Sequence, residues 1–293
     1  MKKEDGKAII GLILAILLGF GIALAGSWNG ITYHGLPLFG LLVAFAFLIQ
    51  WIAFIPAFLL QTERFYDIVG SLTYIALVII SVCLSPIVDG RSALMLILVM
   101  IWAVRLGSFL FRRVLKAGKD GRFDEIKPHF FRFLTAWTLQ ALWITFTLSA
   151  ALIVITTSNR KELDLFALFG FLVWIIGFTL EAVADLQKSR FKTDPTNNGK
   201  FINTGLWSRS RHPNYFGEIM LWTGVLIIAL PVLKGWNWVA LVSPVFVAIL
   251  LTQISGIPIL EKRADQKWGG QEDYETYKQN TPVLIPRLSA KNN

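Results

Sequence analysis

The chain has one cysteine, Cys83, and only three histidines, His34, His129 and His212, in 293 residues. A single cysteine excludes a disulfide framework and a cysteine-based metal cluster. Histidines this far apart, with no second ligand at metal spacing, argue against a zinc site. Charge is scarce as well: Asp, Glu, Lys and Arg make up 16% of the residues, against about 25% in soluble domains. No G-x-G-x-x-G follows a strand, and neither a phosphate-binding P-loop nor a G-x-S-x-G nucleophile turn is present. There is no repeat of fixed period, no low-complexity segment and no hydrophilic stretch of domain size. The two halves share no hydropathy symmetry, which argues against a transporter.

What is abundant is apolar sequence, at 55% of the chain. It falls in eight runs, near 8–26, 38–60, 68–84, 92–114, 130–156, 163–187, 214–232 and 237–257. Runs of this length cross hydrocarbon as helices, so the expected fold is an all-α polytopic transmembrane bundle of seven to eight spans. Pro56 is expected to kink or end the second span, and the third run is the shortest. The first run follows a basic amino end without a convincing small-residue cleavage pattern, and reads as a membrane helix rather than a removed signal peptide.

The net charge of +9 does not indicate nucleic acid, because the basic residues sit in loops between apolar runs. Most of the 28 Lys and Arg residues fall on the side of the amino terminus, in the segments 112–127 and 188–211 and in the carboxyl tail. Only Arg91, Arg160, Lys161 and Lys234 fall in the opposite loops. The positive-inside bias therefore puts both termini in the cytoplasm. As one integral membrane domain, the chain reads as amino-terminal spans over 1–128 and a carboxyl-terminal core over 129–293.

Chemistry concentrates in Gly205 to Glu218, GLWSRSRHPNYFGE, where a basic loop runs into an apolar helix. Arg209, Arg211, His212, Asn214, Tyr215 and Glu218 fall within ten residues. Ionised groups are costly in hydrocarbon, so such a cluster at a span end marks a functional site by default. Glu181 and Asp185, four apart on one face of span six, and Arg105 in span four are expected to converge with it on a polar cavity. The loop from Lys188 to Pro213 is longer than an ordinary connector and carries a strong turn signal at Asp194 to Gly199. Gln140 and Gln253 read as interhelical hydrogen-bonding residues. Most tryptophans lie near span ends, as an interfacial belt does.

Gly205 to Trp222 and the tail residues Trp268, Tyr274, Tyr277, Thr281-Pro282 and Ile285-Pro286 resemble the carboxyl-terminal half of the membrane steroid 5-alpha-reductase family. The similarity is greatest to its bacterial branch and covers about residues 40–288. The segment Arg211 to Gly217 also resembles the isoprenylcysteine carboxyl methyltransferases and the membrane phospholipid methyltransferases. The gapless match from Gly205 to Ile219 and the extra amino-terminal spans favour the reductases. The resemblance implies NADPH as cofactor, a lipophilic small-molecule substrate entering from membrane lipid, a bacterial inner-membrane location, and reduction of a carbon–carbon double bond. It further implies cofactor contacts by Arg105, Arg113, Asp185, Arg209, Arg211, His212, Asn214, Tyr215, Glu218, Tyr274 and Tyr277. Polarisation of a substrate carbonyl would fall to Gln61, Glu63 and Tyr66, with Glu63 protonated if buried. The Gln61–Glu63 spacing differs by one residue from the steroid enzymes' adjacent pair, so a lipophilic alkene or enone is expected rather than a steroid in particular. The alternatives are an S-adenosylmethionine-dependent methyltransferase, with Glu261 as a further acidic residue, and a non-catalytic lipid-binding membrane protein.

Overall fold

A computed structural model describes residues 3–117 and 121–287. It contains eight helices long and apolar enough to cross a membrane. The chain folds as two compact units, Met1–Ala167 with Ala229–Ser243, and Leu168–Ile228 with Pro244–Asn293.

The first unit is built from α1 (Lys3–Gly26), α2 (Leu38–Leu59), α3 (Tyr66–Cys83), α4 (Gly90–Ala117) and α5 (Phe130–Thr156). Between α1 and α2 a two-residue hairpin pairs β1 (Thr32–Tyr33) with β2 (Leu36–Pro37). His34 and Gly35 both take positive φ at its turn, the geometry that matches strand twist in tight hairpins. α5 is the central helix, packed by α1, α2, α3 and α4. It is buried over 89% of its most apolar window. Four of its threonines bond inside the helix: Thr135, Thr138, Thr145 and Thr156 each donate to the carbonyl four residues back. Polar side chains then tie helix to helix, with Gln50 Nε2 donating to Thr73 Oγ1 at 2.8 Å and Trp51 Nε1 to Thr138 Oγ1 at 3.0 Å. Gln140 Nε2 reaches the Tyr66 carbonyl at 3.2 Å, the interhelical role expected of it. The helix runs through Pro56 to Leu59. Pro56 falls in the last turn, so it marks the end of the helix rather than a break within it.

Two arginines, Arg91 at the start of α4 and Arg160 in the loop after α5, close the loops of this unit. Arg91 is fully buried, paired with Asp164 at 2.9 Å and donating to the Glu162 carbonyl at 2.7 Å. Arg160 donates to the Ser85 and Ser92 hydroxyls and the Ile155 carbonyl, with Asp89 Oδ2 at 3.6 Å. Replacing Arg91 with Met strands these acceptors. Arg91→Met is expected to cost about 2 kcal/mol, the worth of charged hydrogen bonds in a dry setting. Unfolding in detergent measures it, and a loss below about 0.5 kcal/mol would show that the pair contributes nothing.

The second unit rests on α6 (Leu165–Thr193) and α7 (Pro213–Ala229). α6 runs six residues past the expected boundary, so the connector to α7 is correspondingly shorter than the sequence suggests. Gly170 and Gly177 on α6 meet Gly224 and Gly217 on α7, respectively, in an antiparallel crossing. A Cβ on Gly177 would lie 2.6 Å from the Gly217 carbonyl oxygen, and one on Gly224 would lie 2.6 Å from that of Gly170. Only glycine lets the two backbones touch in this way, a device frequent where membrane helices pack without a hydrophobic driving force. The chain then returns as α8 (Val242–Ile249), widens into a π-helical turn over Leu250–Ile254, and breaks at Ser255 and Gly256. A Cβ at Gly256 would strike the Leu251 carbonyl at 2.4 Å. Beyond it lie α9 (Ile257–Trp268) and α10 (Glu272–Asn280).

Candidate functional site

The loop before α7 is laid onto α6 from its own residues. Asp194 caps the turn Pro195–Asn197, accepting from the Thr196 amide at 2.9 Å, as its Asp-Pro sequence requires. Gly205 takes φ 62°, and Gln187 fills the space where a Cβ would stand. Gln187 Oε1 accepts the Leu206 amide at 2.9 Å. Trp207 is buried, with its indole N–H on the Ala184 carbonyl at 3.0 Å, and the Lys188 ammonium stands 4.3 Å from its ring centre.

This docking presents Arg211 and His212 to Glu261, on the second turn of α9. His212 Nε2 lies 2.7 Å from Glu261 Oε1, and Arg211 Nη1 donates to Glu261 Oε2. His212 is 4% exposed and stacks on Tyr215, with planes 11° apart. Burial pushes the imidazole down from its ordinary value, and the Glu261 hydrogen bond offsets this only in part. Neutral His212 facing a carboxylate carries its proton on Nε2. Nδ1 is then an acceptor, and it has no hydrogen-bond partner among the described residues; Arg211 Nε is likewise buried without one. Two buried polar atoms of opposite hydrogen-bonding sense are thus left over, and buried polar groups are ordinarily paired.

Deeper in the same unit Asn214 Nδ2 donates to Asp185 Oδ1 at 3.1 Å. Glu218 follows one turn later on α7 and is half-buried, whereas Glu181 on α6 is buried. Tyr274 donates to Asp265 Oδ1 at 2.9 Å and Tyr277 to the Trp207 carbonyl at 2.7 Å. Burial holds both phenols well above the usual tyrosine range, so they remain donors. Arg209 is exposed beside the cluster in sequence.

The remaining expected residues lie in the first unit. Arg105 on α4 places its guanidinium 5.6 Å from the Phe109 ring centre, and the side chain of Arg113 lies outside the described residues. Glu63 is 4% exposed but paired with Lys127 at 3.0 Å. Hydrogen bonds to Glu63 and Asp124 in turn raise the Lys127 ammonium above its ordinary value. The Lys127 ammonium gives buried Glu63 a charged neighbour, so its setting is not the purely apolar one in which a carboxyl keeps its proton. Tyr66 commits its hydroxyl to the Ala136 carbonyl at 2.9 Å. Gln61 is exposed with φ 50° and turns its amide back onto the Phe58 carbonyl. Sequence reasoning passed over Lys127, Ser210 and the pairing of Glu261 with His212. The first lies in a connector and the second is a small residue, while the third joins positions 49 apart.

Eight membrane-length helices with a partly buried arginine–histidine–glutamate cluster at the start of a span define an integral membrane protein of the helical-bundle class. Residues 53–281 match the family described as "Protein of unknown function (DUF1295)", and the chain belongs to this steroid 5-alpha-reductase-like family. It is similar to a Delta(14)-sterol reductase of Methylotuvimicrobium alcaliphilum, at 27% identity over 56% of this chain and 40% of that protein. It is also similar to the "Steroid 5-alpha-reductase DET2" of Gossypium hirsutum, at 28% identity over 41% of each. A stretch of 60 residues is 37% identical to the "Probable O-methyltransferase ustE" of Ustilaginoidea virens, covering 20% of this chain and 21% of that protein. The chain thus spans about two fifths or less of the length of these curated relatives. No solved structure matches it.

Proposed function

We propose that the chain is an integral membrane reductase that uses NADPH to saturate a carbon–carbon double bond in a lipophilic, sterol-like or enone substrate. The observation that carries this reading is the similarity to two sterol-type reductases, together with membership of their family. The site fits such a cofactor in one concrete respect. The unpartnered Arg211 Nε and His212 Nδ1 suit a ligand that both accepts and donates hydrogen bonds.

NADPH, when bound, supplies the hydride. On this reading Arg209 and Arg211 hold anionic oxygens, for which guanidinium forks are suited. His212 accepts a hydrogen bond at Nδ1, Tyr215 keeps its ring in plane, and Asp185, Asn214 and Glu218 form the polar wall toward the span. Tyr274 and Tyr277 brace the tail. Gln61, Glu63 and Tyr66 belong to the substrate side of the proposal, with Glu63 beside the Lys127 ammonium, and Arg105 and Arg113 to the nucleotide. On this reading the protein sits in a bacterial inner membrane with both termini in the cytoplasm. Support comes from the bias of Lys and Arg toward loops on the side of the amino terminus.

Purified protein in detergent is expected to bind NADPH, read from nicotinamide fluorescence. Asn214→Ala and Glu218→Ala should each weaken it by about tenfold, about 1.4 kcal/mol. Glu162→Ala, at an exposed loop position, should change little. Micromolar S-adenosylmethionine binding with none for NADPH at millimolar would replace this reading with the methyltransferase one, which the match to an O-methyltransferase favours. Absence of both in folded protein would leave a non-catalytic lipid-binding role.

A further inference from the structure

Ser210 lies between the two arginines of the site and is fully buried. Its hydroxyl donates to the Leu284 carbonyl at 2.7 Å and accepts the backbone N–H of His212 at 3.1 Å. The flanking backbone makes the same junction. The Arg211 N–H donates to the Pro282 carbonyl at 2.9 Å, and the Arg287 N–H donates to the Arg209 carbonyl at 3.0 Å. Arg209–Arg211 is therefore strapped to Pro282–Arg287, a carboxyl-terminal segment whose two prolines, Pro282 and Pro286, restrict its φ angles. α10 carries this segment, and Tyr277 of α10 holds the Trp207 carbonyl at 2.7 Å. Pinning the amide of His212 fixes where the imidazole leaves the chain, just before the first turn of α7.

We infer that Ser210 is a positioning residue, and that its hydroxyl, anchored on the carboxyl-terminal strap, holds His212 and Arg211 in register with Glu261. This rests on the cofactor reading above for its binding readout but not for its structural one. A serine in this place has one hydroxyl proton and two lone pairs, enough to donate to Leu284 and accept from His212 together. Alanine keeps the backbone and most of the volume but satisfies neither. Leu284 then loses a buried donor and the His212 amide a buried acceptor, which frees the loop to shift toward water.

The test uses the full chain in detergent, Ser210→Ala, a chain ending at Val283, and the two combined. The truncation removes the Leu284 acceptor and the Arg287 donor but keeps Pro282. Isotope-labelled His212 is titrated by NMR, and NADPH affinity is measured on each variant whose melting curve shows a folded protein. Ser210→Ala should weaken NADPH by about tenfold, the scale of one lost buried hydrogen bond. The His212 titration should rise, because burial, the largest influence on it ahead of Glu261, Lys188 and Arg211, is what depresses it, and a loop shifted toward water relieves it. The truncation should do the same, and the double variant should cost less than the two single effects combined, because both remove the Ser210–Leu284 hydrogen bond. Effects that multiply, or an unmoved His212 titration in both variants, would overturn the inference. A parent that binds no NADPH would overturn the reductase reading, while the His212 titration would still decide the role of Ser210.

Discussion

Glu261→Gln should weaken cofactor binding by about thirtyfold, roughly 2 kcal/mol, the lower range for breaking a desolvated charge pair. Glu261 is a carboxylate that both Arg211 and His212 touch, and their side chains are only 12% and 6% exposed. A glutamine leaves the guanidinium without a counter-ion. The imidazole also responds, with a definite sign. The Glu261 hydrogen bond favours protonated His212, so its removal should lower the imidazole titration still further. In the parent, burial already lowers His212 below its ordinary 6.5. The folded state then takes up this proton at lower pH than the unfolded chain does. The contribution of His212 to stability is complete above about pH 6.5 and is lost as pH falls below it. Affinity within threefold of the parent, with an unmoved His212 titration, would remove Glu261 from the site.

Gly217→Val should be the most damaging single substitution at the α6–α7 crossing, costing about 3 kcal/mol. The new Cβ would stand 2.6 Å from the Glu181 amide nitrogen and the Gly177 carbonyl oxygen. Backbone atoms of a packed helix cannot turn aside as a side chain can. Separating the helices also pulls Asn214 from Asp185, so cofactor binding should fall with stability. Gly21→Val in α1 is the control: nothing lies within 4 Å of a Cβ there, and its change should stay within about 0.5 kcal/mol. Equal melting behaviour of the two variants would show that the close crossing carries no packing energy.

Much of the fold can be read directly from the residues, since hydrocarbon imposes simple rules. Every backbone polar group in a span must be satisfied within the helix, and the helix must be long enough to cross. Eight apolar runs therefore read as eight helices, and the shortest run became the shortest span, the 18 residues of α3. The glycines were legible in principle, because Gly170 and Gly177, like Gly217 and Gly224, are seven apart. A seven-residue interval is close to two helical turns and returns to the same face. What no interval reveals is which helix those glycines meet.

The sequence alone determined the membrane helices, the cluster from Arg209 to Glu218 and the i, i+4 face shared by Asn214 and Glu218, because these depend on local composition and helical period. The pairing of His212 with Glu261, of Asn214 with Asp185 and of Ser210 with Leu284 was decided only by tertiary structure. Each joins residues between 29 and 74 positions apart, and each depends on how far a loop reaches or where a helix bends. Tertiary structure also decided the surroundings of Glu63. A buried carboxyl in an apolar setting keeps its proton, but Lys127, 64 positions away, supplies a counter-ion that hydropathy does not show.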